Sequence, residues 1–394
     1  MIKSIKLTNF FSFHTNKVEL DKLNVLIGIN GSGKSNFLKA FHVLKVLAVE
    51  GGLQDLFINR WGGFDAVCYA GNLDTGKTPA ISITYEFDPA VLSAYGYMFT
   101  EPVLYHIKFT KVPSTQNYMI SEWLKTKSGY CYFDMHRGKG YVMEGASNDL
   151  HKVNYNLDGG EDSVFSKVVD KNRYVQVFAI REALKSVATY FYLNTSESSP
   201  IRRPVMPSLA VRLLPDGGNL PQLLNKIKMN DRQAYKNIQK ALMSVNPNYS
   251  DVGFNLLGSN IELMLEEEKL SRSIHVTHIS DGTLRFLCIL SIIYNSQRGS
   301  LVCIDEPETG LHPDMIAEMM DGLQAGCAGT QFIISTHSEN VLNQVSVKDV
   351  MAFEKDEENA SVVATFTQAE FQEWASSYAT GRLWRNGDLG GNRY

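Results

Sequence analysis

Cysteine is sparse. Cys68, Cys131, Cys288, Cys303 and Cys327 are odd in number, scattered, and never spaced as a C-x-x-C pair. This pattern builds neither a disulfide framework nor a zinc site, and it suits a reducing cytosol. Long apolar runs are also lacking. The most apolar stretch, residues 286–294, falls well short of the roughly 20 residues that a membrane-spanning helix needs. The start, Met1-Ile2-Lys3-Ser4-Ile5-Lys6, alternates like a strand and presents no apolar leader. A cytoplasmic protein with no membrane partner is expected. Nor is there a basic excess: 38 Lys plus Arg against 42 Asp plus Glu gives −4. Coating of nucleic acid through overall charge is thereby excluded, leaving only a local basic patch. What is present is a globular composition, 44% apolar and 20% charged, in a chain of 394 residues. That length corresponds to about two to three domains with ample material for one large core.

Ile5 and Leu7 alternate with Lys6 and Thr8, and Val18 and Leu20 with Lys17 and Glu19, as in an opening antiparallel ribbon. Val25-Leu26-Ile27 then forms a continuous apolar run ending in glycine, the mark of a strand buried on both faces. A glycine loop and the apolar helix of residues 37–47 come next. From residue 51 to about 175 short alternating strands dominate, as in Ile81-Ser82-Ile83-Thr84-Tyr85-Glu86-Phe87. Helical spacing returns at Ile180, Leu184, Val187 and Phe191, and again over residues 220–245, where Pro247 ends it. Neither helical stretch sustains heptads, which excludes a long coiled coil. Leu301-Val302-Cys303-Ile304 and Gln331-Phe332-Ile333-Ile334-Ser335 are further buried strands. The fold class is therefore α/β, one core interrupted by a long insertion. Residues 1–50 and 275–366 are expected to form the core, 51–175 a mainly β insertion, 176–274 a helical lobe, and 367–394 a tail.

Gly28-Ile29-Asn30-Gly31-Ser32-Gly33-Lys34-Ser35 fits G-x-x-x-x-G-K-[ST] and lies between a buried strand and a helix, the setting that motif requires. In that setting backbone N–H groups of Asn30, Gly31, Ser32, Gly33, Lys34, Ser35 and Asn36 cradle phosphates at a helix N-terminus. Lys34 bridges the β- and γ-phosphates, and Ser35 holds Mg²⁺. The strand of residues 301–304 ends in Asp305-Glu306, where strand ends line the ligand crevice of an open α/β sheet. Successive side chains point apart, so the two carboxylates divide the work. Asp305 would orient Mg²⁺ and Glu306 would activate the attacking water as general base. His337 comes just after the third buried strand and is expected on the γ-phosphate; a simple polar turn is the plain alternative. Ser280-Asp281-Gly282-Thr283 precedes an apolar helix, and by itself Ser280 reads as an N-cap.

Four motifs in this order, the P-loop, Ser280-Asp281-Gly282-Thr283-Leu284-Arg285, Ile304-Asp305-Glu306-Pro307-Glu308-Thr309-Gly310-Leu311-His312-Pro313 and Thr336-His337-Ser338, resemble an ABC-type ATPase of the SMC/RecF/OLD-like branch. The stretches Asp216-Gly217-Gly218-Asn219-Leu220 and Leu383-Trp384-Arg385-Asn386-Gly387-Asp388-Leu389-Gly390-Gly391 resemble the same group. The resemblance implies an ABC-type P-loop ATPase head that uses ATP and Mg²⁺, with a mostly antiparallel β plus helical insertion. It also implies a head-to-tail homodimer or higher oligomer in which Ser280, Asp281, Gly282 and Thr283 of one copy close the nucleotide site of the other. Asp281 departs from the LSGGQ of transporter ATPases and sets a carboxylate near phosphates. Residues 308–313 would cross the dimer seam. The Q-loop glutamine is not fixed, with Gln54 as a candidate, and Phe11 and Phe13 either stack on adenine or belong to the core.

Between Ser35 and Ser280 the chain is longer than a transporter subunit needs, and without heptads it is no SMC arm. The stretch beyond His337 is too short for the nuclease domain appended to full OLD proteins. By family analogy the expectation is an ATP-driven dimerising switch for a separately encoded nuclease or toxin of bacterial anti-phage defence. A RecF-like DNA-binding clamp of DNA repair is the alternative, with Arg202, Arg203 and Arg212 either a phosphate-binding patch or ordinary solvated surface. Trp374, Tyr378, Arg382, Trp384, Arg385, Arg393 and Tyr394 form either an interaction site or the packing of a terminal helix.

Overall fold

The computed structural model describes residues 1–71, 78–145, 150–157, 159–366 and 380–391. The chain divides into two compact units, residues 1–188 with 351–365 and 390–394, and residues 189–350 with 366–389.

The first unit opens with strands β1 (Ile2–Phe10) and β2 (Phe13–Glu19), paired antiparallel with Phe10 opposite Phe13. The buried strand β3 (Leu23–Ile27) leads through the glycine loop into helix α1 (Lys34–Leu47). Residues 52–67 are short helical turns, so the β-rich stretch starts at β4 (Ala80–Phe87) and not directly after the first helix. Strands β5 (Val103–Lys111), β6 (Tyr118–Thr126), β7 (Cys131–His136), β8 (Lys139–Glu144) and β9 (His151–Asn156) come after it. They extend the opening ribbon into one eight-stranded sheet of order β2-β1-β4-β5-β6-β7-β8-β9, antiparallel throughout. The period-2 pattern dictates its faces: Ile81, Ile83, Tyr85 and Phe87 are fully buried while Ser82, Thr84 and Glu86 alternate outward. The buried face packs on α1, where the Tyr85 hydroxyl donates to the Ala40 carbonyl at 2.6 Å. Helix α2 (Val175–Lys185) covers the core with Ala179, Ile180, Ala183 and Leu184.

Helix α2 stops at Lys185, short of the helical spacing that runs on to Phe191. Residues 187–190 instead form strand β10 (Val187–Tyr190), fully buried. A buried four-residue run carrying β-branched and aromatic side chains suits a sheet better than another helical turn.

In the second unit residues 220–245 are two helices, α3 (Leu220–Asn230) and α4 (Arg232–Val245). Asp231 breaks the stretch by capping α4, its carboxylate accepting from the Ala234 N–H at 3.0 Å. Beyond them lies a three-stranded sheet, β11 (Tyr249–Leu257), β12 (Asn260–Glu267) and β13 (Ile274–His275). Next come helix α5 (Asp281–Ile293), strand β14 (Leu301–Ile304), helix α6 (Pro313–Gly326) and strand β15 (Gln331–Ser335). β14 and β15 run parallel with Ile304 level with Ile334, and β10 lies on the other side of β14. This βαβ arrangement brings the ends of two buried strands side by side.

The chain returns to the first unit through β16 (Val350–Lys355) and β17 (Ser361–Thr365), an antiparallel hairpin turned at residues 356–359 and placed beside β3. Helix α7 (Thr380–Asn386) belongs to the second unit, where the Thr380 hydroxyl donates to the Val345 carbonyl and the Gly381 N–H to Asn343. It carries Arg382, Trp384 and Arg385; Trp374, Tyr378, Arg393 and Tyr394 lie outside the described residues. Among the described residues no helix is long and apolar enough to cross a membrane.

Candidate functional site

The phosphate-loop segment is built from main chain. β3 is buried along its whole length and ends at Gly28, where a side chain would collide with the Phe353 carbonyl of β16. Gly33 has φ +115 and a Cβ there would strike Ser361, so the turn into α1 admits only glycine. Lys34 is buried and its Nζ donates to the carbonyls of Gly28 at 2.7 Å and Ile29 at 3.1 Å. Ser32 is buried, with no partner for its Oγ among the described residues; Asn30 and Ser35 are exposed, and Gly31 has φ +83. The first turn of α1 carries no acidic residue, which keeps this helix N-terminus hospitable to anions.

Two serines that the motif does not contain brace the loop. Ser361 Oγ donates to the Ser32 carbonyl at 2.6 Å and lies 2.8 Å from Ser12 Oγ, which accepts from the Asn36 amide at 3.1 Å. Gly391 closes on the start of the loop: a Cβ there would stand 3.1 Å from the Gly28 Cα, and its N–H donates to Glu354 at 2.7 Å. Phe13 belongs to the core, packed with Phe37 and Phe353. Phe11 is half-buried, its ring 4.2 Å from the Lys39 Nζ and edge-on to Trp61. Gln54 is exposed at the end of a helical turn.

In the second unit, the end of β14 presents two carboxylates with different partners. Asp305 continues the strand, its N–H donating to the Tyr190 carbonyl at 2.8 Å, and its carboxylate accepts from the Ser335 hydroxyl at the end of β15. Ser335 Oγ also accepts from the Glu306 N–H at 2.9 Å, so one serine ties both residues. Glu306 adopts φ +46, a left-handed conformation that non-glycine residues rarely hold and that concentrates at functional sites. Its carboxylate lies 3.5 Å from His337 Nε2 and accepts from the Thr309 hydroxyl at 3.3 Å. The side chains stay accessible, 46% exposed for Glu306 and 33% for His337.

Behind this pair, Glu308 is buried and accepts through Oε1 from the Thr336 hydroxyl at 2.6 Å and the His337 N–H at 3.1 Å. Its Oε2 has no partner among the described residues, and burial pushes the carboxyl above its ordinary value. Glu308 thus fixes the backbone of the residue that carries the imidazole. Sequence spacing quotes Glu308 only as part of a motif and gives no sign of this link.

The segment of residues 280–283 starts α5. Ser280 is its N-cap, the Oγ accepting from the Thr283 N–H at 3.1 Å and standing 2.8 Å from the Thr283 hydroxyl. Gly282 lies against the loop after β14: a Cβ there would come 2.8 Å from the Gly310 carbonyl. Asp281 is turned away to Arg202, whose Nη2 lies 2.5 Å from its carboxylate. Arg202 is therefore neither solvated surface nor part of a phosphate-binding patch. It is buried and occupied, while Arg203 is exposed and Arg212 donates to the Gln297 carbonyl at 2.7 Å. The structure thus brings together Asp305, Glu306 and His337, and sets Gly282 beside Gly310; Asn30, Gly31, Ser32, Gly33, Lys34, Ser35 and Asn36 form the separate phosphate-loop segment.

Residues 1–189 match the family model described as "AAA ATPase domain", and residues 172–343 the one described as "AAA domain, putative AbiEii toxin, Type IV TA system". No curated protein matches the chain. Among solved structures, an SmcHead bound to the C-winged helix domain of ScpA superposes with TM-score 0.59 at 14% identity, covering 94% of this chain and 99% of that one. An Smc head domain with an extended coiled coil, bound to the C-terminal domain of ScpA from Pyrococcus furiosus, gives TM-score 0.57 at 13% identity, covering 95% and 98%. The fold is that of SMC heads, and the two family matches are to AAA ATPase domains, each over less than half of the chain.

Proposed function

We propose that the chain is a Mg²⁺-dependent ATPase in which nucleotide binding drives head-to-tail pairing of two copies and thereby switches a separately encoded nuclease or toxin partner in anti-phage defence. The observation that carries the reading is the Glu306–His337 pair at the ends of the adjacent parallel strands β14 and β15, 3.5 Å apart, with Glu306 at φ +46. The loop fits a polyphosphate: positive-φ glycines, the buried Ser32 hydroxyl, unpartnered among the described residues, and a helix start without acidic residues all favour an anion. Mg²⁺ needs few protein contacts, and the Ser35 hydroxyl and the Asp305 carboxylate would supply them. When bound, the ion draws negative charge off the phosphoryl oxygens.

In this mechanism Lys34 sets its ammonium on the β- and γ-phosphates, trading its carbonyl partners for anionic oxygens. Glu306 accepts the proton of the attacking water, a role worth about 10²- to 10⁴-fold in rate. His337 and Ser335 orient the carboxylate and the γ-phosphate, and Ser280 with the Gly282 amide would reach the phosphate of the opposite copy. The "Type IV TA system" description and the ScpA-bound heads support a partner protein for this chain. Light scattering of the wild type and Glu306→Gln, with and without ATP and Mg²⁺, tests the reading beside phosphate release. The variant is expected to gain subunits with ATP and to lose turnover; an ATP-independent mass with surviving turnover would sink the switch.

A second reading, an ATP-dependent DNA clamp, draws on one observation. Lys6, Lys108 and Lys139 are exposed on one face of the eight-stranded sheet, with no ion pair to an acidic residue among the described residues. His106, on that face, is pushed down to about 4 by burial and then by Lys108, Lys125 and Lys6. ATP-dependent DNA binding that falls steeply with salt would favour this reading.

A further inference from the structure

The geometry points to Arg202 as a positioning residue that keeps the carboxylate of Asp281 off the phosphate-facing start of α5. This inference rests on the proposed role of residues 280–283 at the nucleotide of a second copy.

Arg202 spends nearly its whole donor set within the second unit. Nε donates to the Thr195 carbonyl at 3.0 Å, Nη1 to the carbonyls of Val276 at 2.7 Å and Ile279 at 2.9 Å, and Nη2 to Asp281 at 2.5 Å. Val276 and Ile279 belong to the turn that delivers the chain to Ser280, so the guanidinium holds both the approach to α5 and its first acidic side chain. The Arg202 side chain is 7% exposed and that of Asp281 is 64% exposed. A buried guanidinium cannot shed its proton and needs a counter-charge. Asp281 supplies it, and in doing so is neutralised. A carboxylate left free in the first turn would stabilise the isolated helix yet repel an incoming phosphate at close range. The pair therefore lets a segment with an acidic residue serve as an anion-facing helix start, with Ser280 and the Gly282 amide left to do the contacting.

The test measures ATP-driven self-association in the Glu306→Gln background by light scattering, alongside nucleotide binding to the dilute single chain. Arg202→Met is expected to weaken association about tenfold or more without changing single-chain nucleotide affinity, and added salt should relieve part of the defect by screening Asp281. Asp281→Asn, which keeps a side-chain acceptor for the Arg202 Nη2 and removes the negative charge that would repel phosphate, should tighten association several-fold. Arg202→Met combined with Asp281→Asn should return near the parent. A merely structural Arg202 would give the double variant the defect of the single one, with no relief by salt, and that result overturns the inference. Should Arg202→Met fail to fold, Asp281→Asn decides alone, since a loss of association in place of a gain overturns it. If Glu306→Gln itself shows no ATP-driven association, the proposed function falls and this inference with it; if it associates and Arg202→Met matches it, only the inference falls.

Discussion

Residues 28–36 take their shape from the main chain, through positive-φ glycines and a lysine bonded to the carbonyls of its own loop. Residues 305–308 take theirs from side chains that meet across distance: Asp305 and Glu306 through Ser335, and Glu308 through Thr336 and His337. The first region is a contiguous cradle, braced by Ser12 and Ser361 and intolerant of a Cβ at Gly28 and Gly33. The second is a web in which each carboxylate depends on a partner from the next strand. Damage to the cradle should abolish binding, whereas damage to the web should spare binding and slow turnover.

Lys34→Ala is the most severe test, since it removes a charged donor from the loop. ATP affinity measured by fluorescence titration is expected to fall at least about 100-fold, and affinity within a few-fold of wild type would remove the cradle from nucleotide binding. Ser335→Ala, which unties Asp305 from Glu306, should lower phosphate release by roughly 10- to 100-fold with nucleotide affinity nearly intact. An equal loss of affinity would erase the distinction between the two regions. Glu308→Ala should cost about tenfold in turnover through the displaced His337 backbone, and Glu308→Gln, which keeps an acceptor for Thr336, should cost less; steady-state kinetics of the pair separates a positioning carboxylate from a charged one.

The smallest effect on turnover is expected at Glu122 of β6, in the eight-stranded sheet. Its buried carboxyl accepts from the Tyr105 hydroxyl at 2.7 Å, the Ser163 hydroxyl at 2.8 Å and the Val164 N–H at 2.6 Å, and burial raises it to about 7. Because the folded value lies above the unfolded one, the stabilisation is complete below about pH 4.5 and is lost as pH rises through about 7. The loss is of order 3 kcal/mol. Thermal stability of the wild type should fall between pH 5 and pH 8, and Glu122→Gln should flatten that slope while leaving nucleotide turnover at pH 7 unchanged.

The cradle, the end of β14 and the N-cap at Ser280 were legible in the sequence because each is a contiguous segment whose chemistry comes from local spacing. The web and the Arg202–Asp281 pair were not, since Ser335 and Asp305 lie 30 positions apart and Arg202 and Asp281 lie 79 apart. No periodicity signals such pairs. Two local patterns also gave way to tertiary context. The helical spacing up to Phe191 yielded to burial of β10 in a sheet, and the single stretch of residues 220–245 was split by the cap at Asp231. Ser12 and Ser361 carry no signal of their role, because nothing in a hydroxyl in a turn or at a strand start announces which loop it will brace.

The bracing of the cradle fixes an order of events during synthesis. Ser361 supports Ser32 from 329 positions downstream, and Gly391 seals Gly28 from later still. At a translation rate of roughly 5–20 residues per second, the loop waits on the order of 20 to 70 seconds for its last supports. Until then a nascent chain carries this loop unfinished, and on the proposed function nucleotide capture must wait for those downstream residues.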